Sequence, residues 1–322
     1  MSVGFTEGGV IGRSVARVED RPLVTGRGRF AGDIDMARQL HMRVARADRA
    51  HARLLAVDVD AARTAPGVVA VWTAEDLPPD CVIEFRDGPN AALAPFRQPV
   101  LARDRLRYVG EPVAVVFADS AAAAEDAAEL IAIDAEDLPP VLSASDPPSE
   151  FAPGLTTEAS EIRQGYGDLD AAFAEAALVI ENDVFIGRHS GVPLETRGAI
   201  GVYDAARDML ELHGAAKVPH RNRESLAWML GRPPSSIHLY ESHVGGGFGV
   251  RGELYPEDVL VLLAAMRLGR PIKWIEDRRE HLMAANHSRE QRHVTRAAVA
   301  SDGAILAIDN RFFDDQGAYV RN

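Results

Sequence analysis

The spacing of apolar and polar residues predicts alternating strands and helices in the first 135 residues. Strands are predicted at four apolar runs: 41–46, 54–59, 68–72 and 113–117. Asp119 or Ser120 can then cap an alanine-rich helix that runs to about residue 130, and a strand resumes at 131–134. This half of the chain is therefore predicted to mix helices and strands.

The second half of the chain predicts longer elements and two hairpins. An amphipathic helix at 168–177 leads into a strand at 178–186, and another helix is expected at 219–230. Polar turns separate two pairs of strands, which are 198–203 with 209–213 and 293–299 with 305–313. The second pair carries the stronger hairpin signal, because a Ser-Asp-Gly sequence at 301–303 supplies its turn.

A proline-rich stretch at 137–153 has few apolar pairs, which is typical of a linker. We therefore predict four segments: an N-terminal arm (1–19), a first domain (20–135), a linker (136–154) and a second domain (155–322). With 322 residues and 47% hydrophobic content, the chain is long enough for two cores.

Charge and cysteine content narrow the classes of function. The 48 acidic and 35 basic side chains give a formal net charge of -13, which argues against a nucleic-acid-binding surface. Cys81 is the only cysteine, so the chain has no disulfide and cannot by itself hold an iron–sulfur cluster on four thiolates. No signal-peptide pattern and no run of roughly 20 apolar residues is present, so we expect a cytoplasmic protein without a membrane span.

Candidate chemistry concentrates at 236–277, where a strand-like run precedes GGGFG, a helix-like run and a second short strand. Gly247, Gly249 and Gly252 fit the G-x-G-x-x-G pattern of NAD-binding loops, in which backbone N–H groups approach a phosphate. Phe248 inside the run weakens this interpretation, and so does Pro256, which suits the first turn of a later helix. On the residues alone, an NAD-binding loop and a purely structural turn both remain open.

The sequence VGGGFGVR, followed by GRPIKWIEDRREHL, resembles the molybdenum-cofactor subunit of the xanthine dehydrogenase and aldehyde oxidase family, including carbon monoxide dehydrogenase-like members. Three earlier stretches resemble the family's α/β hammerhead domain: IGRSVARVEDRPLVTGRGRFAGDID, AHARLLAVDVDAARTAPGVVAVWTAEDLP and YVGEPVAVVFADSAAAAEDAAELIAID. GDLDAAFAEAALVIE, PLETRGAI, VPHRNRESLAWMLGRP and DDQGAY follow in the family's order. The resemblance thus implies an α+β fold, with a hammerhead domain followed by the first molybdenum-cofactor-binding domain.

The resemblance also implies a cofactor site and partners. The predicted cofactor-binding residues are Gly246, Gly247, Phe248, Gly249, Lys217 and Arg251. They would line a molybdopterin-type cofactor, with the cytosine dinucleotide form as one option, and the metal would be held through the pterin dithiolene. The implied reaction is hydroxylation of an aldehyde, an N-heterocycle or a similar small molecule, with water as the oxygen source and a glutamate as general base. Two 2Fe-2S clusters and FAD would lie on an iron–sulfur subunit and a flavin subunit.

Three departures from the family pattern affect these expectations. Lys217 stands where the family usually has a glutamine, and an ammonium can donate a hydrogen bond but cannot accept one. Arg251 replaces a usual lysine and keeps its charge, while Gly252 replaces the glutamate of purine-oxidising members and argues against xanthine as substrate. The family's second cofactor-binding half, with the general-base glutamate, has no counterpart after Tyr319.

We therefore expect half of a site. It would be completed by a medium or C-terminal molybdopterin-binding subunit, or else the chain is a truncated, non-catalytic cofactor-binding or assembly module. Glu195, in PLET, matches a family position near the pocket, but it could equally be a structural carboxylate that hydrogen-bonds loop backbone. His189, His243 and His287 lack the spacing of a zinc site.

Overall fold

The computed structural model describes residues 11–85, 90–214 and 218–321 and confirms the predicted α+β class. The strands are β1 (Leu40–Arg46), β2 (Ala52–Asp58), β3 (Val68–Trp72), β4 (Val82–Ile83), β5 (Gln98–Pro99), β6 (Arg105–Leu106), β7 (Pro112–Ala118), β8 (Ala132–Asp137), β9 (Glu150–Ala152), β10 (Leu155–Thr156), β11 (Leu178–Ile186), β12 (Gly198–Asp204), β13 (Met209–Gly214), β14 (Ile237–Tyr240), β15 (Ile272–Ile275), β16 (Glu290–Val299) and β17 (Ile305–Asp315). The α-helices are α1 (Asp20–Val24), α2 (Asp60–Arg63), α3 (Ala121–Ala128), α4 (Leu169–Glu175), α5 (Pro219–Met229), α6 (Pro256–Leu268) and α7 (Arg278–Ala284).

Strands from both sides of the proline-rich stretch form one seven-stranded sheet, in the order β14-β13-β12-β15-β1-β7-β3. The junction is a parallel pairing of β1 with β15, in which Leu40 lies opposite Ile272. The largest apolar cluster accordingly takes side chains from both halves, for example Leu40, Phe117 and Trp274. The expectation of one core on each side of the linker is therefore wrong for the main core, because sheet pairing between distant strands joins the halves.

Helix α6 packs against the middle of this sheet and is apolar on nearly all sides, with Val259 to Ala265 buried. The approach is close at Gly201 of β12, where a Cβ would lie 2.3 Å from the backbone oxygen of Val261. Pro256 at the first turn and Gly269 in a left-handed conformation set the two ends of the helix. The buried α6 fixes the segment that precedes it, residues 245–255, against the end of the sheet.

Two smaller sheets complete the main elements. Strands β6, β2 and β8 form one, and β11, β16 and β17 form the other, in which β16 is the central strand. The predicted linker is not free of strands, since β8 continues to Asp137 and β9 pairs with β10. The division into four segments stays a prediction. Within the described ranges, no helix has the length and apolar content that a membrane crossing needs.

Candidate functional site

The glycine loop, residues 245–249, connects the region after β14 to the region before α6. Gly246 (φ 110°) and Gly249 (φ 88°) adopt backbone angles that favour glycine, and Phe248 (φ 46°) is a left-handed non-glycine residue. Such angles turn the chain sharply and leave the Phe248 side chain 75% exposed. The loop therefore presents an aromatic ring and backbone to solvent.

A second segment, residues 191–196, packs directly beneath the glycine loop, and we call it the supporting segment. A Cβ on Gly246 would lie 3.1 Å from Pro193 Cβ, and one on Gly191 would lie 3.1 Å from Phe248 Cβ. The closest approach is at Gly245, where a Cβ would come 2.4 Å from Glu195 Cβ. Since real Cβ atoms do not approach so closely, the packing requires glycine at position 245.

Glu195 joins three separate parts of the chain. Its carboxylate accepts hydrogen bonds from the backbone N–H of Gly245 (2.7 Å) and from that of Ala31 (3.2 Å). Its own backbone N–H donates to the Gly245 carbonyl at 3.2 Å. The sequence left two roles open for Glu195, and the structure shows the one in which it hydrogen-bonds loop backbone. That loop borders the candidate site.

Arg251 lies beneath the glycine loop and points inward. It is only 4% exposed, and its Nη2 donates to the carbonyl oxygens of Glu195 (2.5 Å) and Thr196 (2.7 Å). Nη2 also lies 3.1 Å from Glu195 Oε2. Burial lowers the pKa of this guanidinium, with the Glu195 carboxylate acting against that shift. Its Nε and Nη1 have no hydrogen-bond partner among the described residues.

A buried ionic network supports the site from the sheet side. Arg197 donates to Glu276 from Nε (3.0 Å) and Nη2 (2.5 Å), and His281 Nδ1 lies 2.8 Å from the same carboxylate. Burial alone would raise the pKa of Glu276, but the hydrogen bonds of His281 and Arg197 lower it to about 2. The Arg197 guanidinium also lies over the ring of Tyr255, 3.9 Å from its centroid.

The network continues into the first half of the chain. Glu257 of α6 pairs with Arg197 (3.4 Å) and with Arg46 of β1 (2.7 Å). Arg46 also pairs with Glu280 of α7 at 2.9 Å. These groups are almost fully buried, so breaking one pair would leave an uncompensated charge inside the protein. The position of the glycine loop is thereby tied to both halves.

Two small cavities lie beside the first turn of α6 and share the lining residues Gly198, Glu253 and Asp258. Burial raises the pKa of Asp258 to about 6. Each cavity has room for little more than about one water molecule, so neither is a ligand pocket. The outer side of the glycine loop, in contrast, is an open surface, where Phe248 and Leu194 are exposed.

The glycine loop can offer backbone donors to a bound group. No residue in the described ranges accepts a hydrogen bond from the backbone N–H groups of Gly246, Gly247, Phe248 or Gly249. The neighbouring N–H groups, in contrast, are paired, as Gly245 donates to Glu195 and Val250 donates to the Gly247 carbonyl at 2.9 Å. Four free donors beside an exposed aromatic ring suit an acceptor-rich, partly flat group.

The structure places the predicted site residues as follows. In the glycine loop, Phe248 and Gly249 are exposed and Gly246 and Gly247 are half-buried, while Arg251 is buried beneath it. Lys217 falls outside the described residues. Helix α6 begins at Pro256, four residues after Gly252, so its first N–H groups do not follow the glycine run as a dinucleotide-binding loop requires.

Sequence reasoning missed several supporting groups. The roles of Arg197 and His281 were not predicted. The docking of residues 29–31 was not predicted either, and it includes a hydrogen bond from Arg29 N–H to His243 Nδ1 at 3.0 Å. An arginine at the start of an apolar alternating strand, TRGAIGV, was the available signal for a buried ion pair. Within the described part of the chain, no group of three or more His, Cys, Asp or Glu residues is arranged to hold a metal ion.

The chain matches two families of domains. The molybdopterin cofactor-binding domain matches residues 151–322, and the aldehyde oxidase and xanthine dehydrogenase a/b hammerhead domain matches residues 25–139. The first match includes the glycine loop and its supporting segment, and the second includes the Arg46 end of the ionic network.

Individual relatives cover nearly all of this chain. Subunit gamma of the 6-hydroxypseudooxynicotine dehydrogenase complex of Paenarthrobacter nicotinovorans is 42% identical over 97% of this chain, and the match spans 40% of that subunit. The carbon monoxide dehydrogenase large chain of Hydrogenophaga pseudoflava is 33% identical over 94% of this chain and 39% of its own. The crystal structure of quinoline 2-oxidoreductase from Pseudomonas putida 86 superposes with a TM-score of 0.85, at 37% identity, over 94% of this chain and 39% of that one. The sequence thus spans about two fifths of the length of these relatives.

Proposed function

Since this chain belongs to the molybdenum hydroxylase family of xanthine dehydrogenase and aldehyde oxidase, we propose that its glycine loop forms one wall of a molybdopterin cofactor site. The observation that carries the proposal is that the four backbone N–H groups at 246–249 have no acceptor among the described residues, next to Gly245, which Glu195 holds by a hydrogen bond. The remaining walls of the site lie in residues outside this sequence, on the same polypeptide or on another subunit.

The residues present fit the cofactor. Gly246, Gly247, Phe248 and Gly249 would donate backbone hydrogen bonds to its oxygen and sulfur atoms, and the Phe248 ring would exclude water from one side. Glu195 and Arg251 would hold the loop without touching the cofactor, since both bond backbone atoms beneath it. A contact of Lys217 with the cofactor, and the cytosine dinucleotide form, remain part of the proposal.

When bound, the cofactor would supply two-electron oxidation of a carbon centre with water as the source of oxygen. This chain would position the cofactor rather than supply the general base. The charged groups beneath the loop, Glu195 with Arg251 and Glu276 with Arg197, are engaged in ion pairs, and none of them is assigned as the base. That base, a glutamate by family resemblance, would come from residues outside this sequence.

We propose an N-heterocycle as the substrate class, with aldehydes as the next choice. Relatives with high identity are named for nicotine hydroxylation and for quinoline oxidation. Gly252, at the position of the glutamate of purine-oxidising members, supports a substrate other than xanthine.

Electrons would leave through partner subunits that carry 2Fe-2S clusters and FAD, in a cytoplasmic complex. The only thiol of this chain, Cys81, is buried, and burial raises its pKa to about 11, so it is not available as a cluster ligand. The name of the Paenarthrobacter relative also describes one subunit of a complex.

The test is turnover of quinoline by the complete complex in water enriched in ¹⁸O. We expect the label to enter the hydroxylated product from water. Incorporation of oxygen from O₂ instead, or tight binding of NAD by this chain in a calorimetric titration, would contradict the proposal.

A further inference from the structure

The three-stranded sheet of β11, β16 and β17 has one strongly apolar face, which we call the open face. Strand registers place seven large apolar side chains on it: Leu178, Ile180, Val184, Ile186, Ile305, Ile308 and Phe312. Each of them is between 41% and 65% exposed. An apolar surface of this extent on a folded chain marks a contact that another surface covers.

The opposite face of the same sheet is charged and partly covered. Asp183 pairs with Arg292 at 2.7 Å, and Glu181 pairs with Arg296 at 3.1 Å. The guanidinium of Arg296 lies over Phe173 of α4, 4.6 Å from the ring centroid. The alternation of the strands therefore separates a face that carries most of the exposed apolar side chains from a face with ion pairs and fewer of them, among which are Val179 and Phe185.

A polar stripe crosses the middle of the open face and restricts what can cover it. Asn182, Thr295 and Asn310 are aligned across the three strands, and Thr295 Oγ1 donates to Asn310 Oδ1 at 2.8 Å. Lipid chains cannot satisfy the remaining amide donors of this stripe, whereas a polypeptide can. Two copies of a chain with a formal net charge of -13 also repel each other, which disfavours self-association through this face.

The open face is connected to the candidate site. Strand β11 runs directly into residues 187–196, which include the supporting segment. At the same end of the sheet, Arg188 pairs with Asp315 of β17 at 2.7 Å, and His189 N–H donates to Ser288 Oγ at 2.8 Å. The open face is therefore continuous along the chain with the segment that supports the glycine loop.

We propose that the open face binds the polypeptide equivalent to the part of the relatives that this chain does not match, and that this contact brings the opposite wall to the glycine loop. The proposal rests on the proposed function for the identity of the partner. Quinoline 2-oxidoreductase supports it, because that protein has a fold matching 94% of this chain within a chain more than twice as long.

The test uses the unmatched part of the Paenarthrobacter subunit gamma as the probe, co-expressed with this chain in cells that make the molybdenum cofactor. Ile308→Lys disrupts the open face, and Phe185→Lys is the matched control, since Phe185 is a similarly exposed apolar residue on the opposite face. Circular dichroism and urea unfolding confirm that both variants fold. We expect co-purification with the wild type and the control, and an affinity at least about tenfold lower for Ile308→Lys.

Three outcomes would overturn the proposal: equal binding of the probe by all three proteins, no binding of the probe by the wild type, or a dimer of the chain that Ile308→Lys dissociates. Molybdenum content is measured on the same samples. A complex that forms through the open face but holds no molybdenum contradicts the proposed function alone. A molybdenum-loaded complex unaffected by Ile308→Lys contradicts this inference alone.

Discussion

The seven-stranded sheet covers its apolar side chains with α6 and α3, whereas the three-stranded sheet of β11, β16 and β17 leaves seven of its own exposed on one face. The two sheets differ in what the chain packs against them, since α6 crosses the first sheet and nothing in the described ranges crosses the open face. Strand β7 of the first sheet is accordingly apolar and buried throughout, whereas the strands of the second sheet expose apolar side chains. The comparison separates a sheet that is covered within the described residues from one that is not.

The ion pairs of the two sheets differ in the same way, and this gives the largest predicted effect. Glu276→Ala removes the closest partner of the buried Arg197 and leaves Glu257, at 3.4 Å, as its remaining described carboxylate, so we expect a loss of about 3–5 kcal/mol in the free energy of unfolding, measured with urea. Glu181→Ala removes an exposed partner of Arg296 and should change little. Equal losses for the two variants would show that the sheets do not differ in burial as described.

Apolar truncation compares the two sheets directly. Leu260→Ala, in the fully buried part of α6, should cost about 2–5 kcal/mol in the free energy of unfolding. Ile308→Thr on the open face should change it by no more than about 0.5 kcal/mol in this chain alone. A large loss for Ile308→Thr would mean that the open face is already covered without a partner.

A glycine pair tests how tightly the glycine loop is held on its supporting segment. Gly245→Ala forces a Cβ against Glu195, so we expect a loss of about 1–3 kcal/mol in the free energy of unfolding. Gly252→Ala, seven residues further on, has open space for a Cβ and should be close to neutral. Calorimetric unfolding of both variants measures the difference, and a neutral Gly245→Ala would contradict the close packing.

The last prediction concerns pH at the point where residues 319–321 dock on the first half. Glu111 accepts a hydrogen bond from the Tyr319 hydroxyl, and burial raises the pKa of Glu111 to about 7. The folded chain therefore keeps a proton that the unfolded chain releases near pH 4.5, so this group favours folding less as the pH rises from 4.5 through 7.

Glu111→Gln removes this titration. We expect the stability of the wild type, relative to the variant, to decline across that pH interval in urea unfolding experiments. A constant difference between the two proteins from pH 4.5 to pH 7.5 would show that Glu111 does not hold the proton.

Local elements were predictable from the sequence because their signals are local. The strands at 68–72 and 178–186 have the predicted bounds, and Ser120, Asp168 and Pro256 mark the predicted helix starts. The glycine loop was found because its composition is unusual. The role of Glu195 as a carboxylate that hydrogen-bonds the backbone of this loop was one of two alternatives that the sequence left open.

Non-local pairing was not predictable in the same way. Nothing near Leu40 or Ile272 in the sequence shows that β1 and β15 are neighbours, and the merged core follows from that pairing. The pairing of Arg197 with the Glu276–His281 pair depends on the same juxtaposition of distant segments. The inward direction of Arg251 could not be predicted either, because a charged residue beside a glycine loop fits a ligand contact equally well.

The central proposal is that the glycine loop forms one wall of a molybdenum site. The most direct measurement is the molybdenum and pterin content of the complex purified from the cells that produce this chain. We expect close to one molybdenum and one pterin per chain, retained in Gly252→Ala and reduced in Gly245→Ala. An assembled complex with neither molybdenum nor pterin, or with equal content in both variants and the wild type, would contradict it.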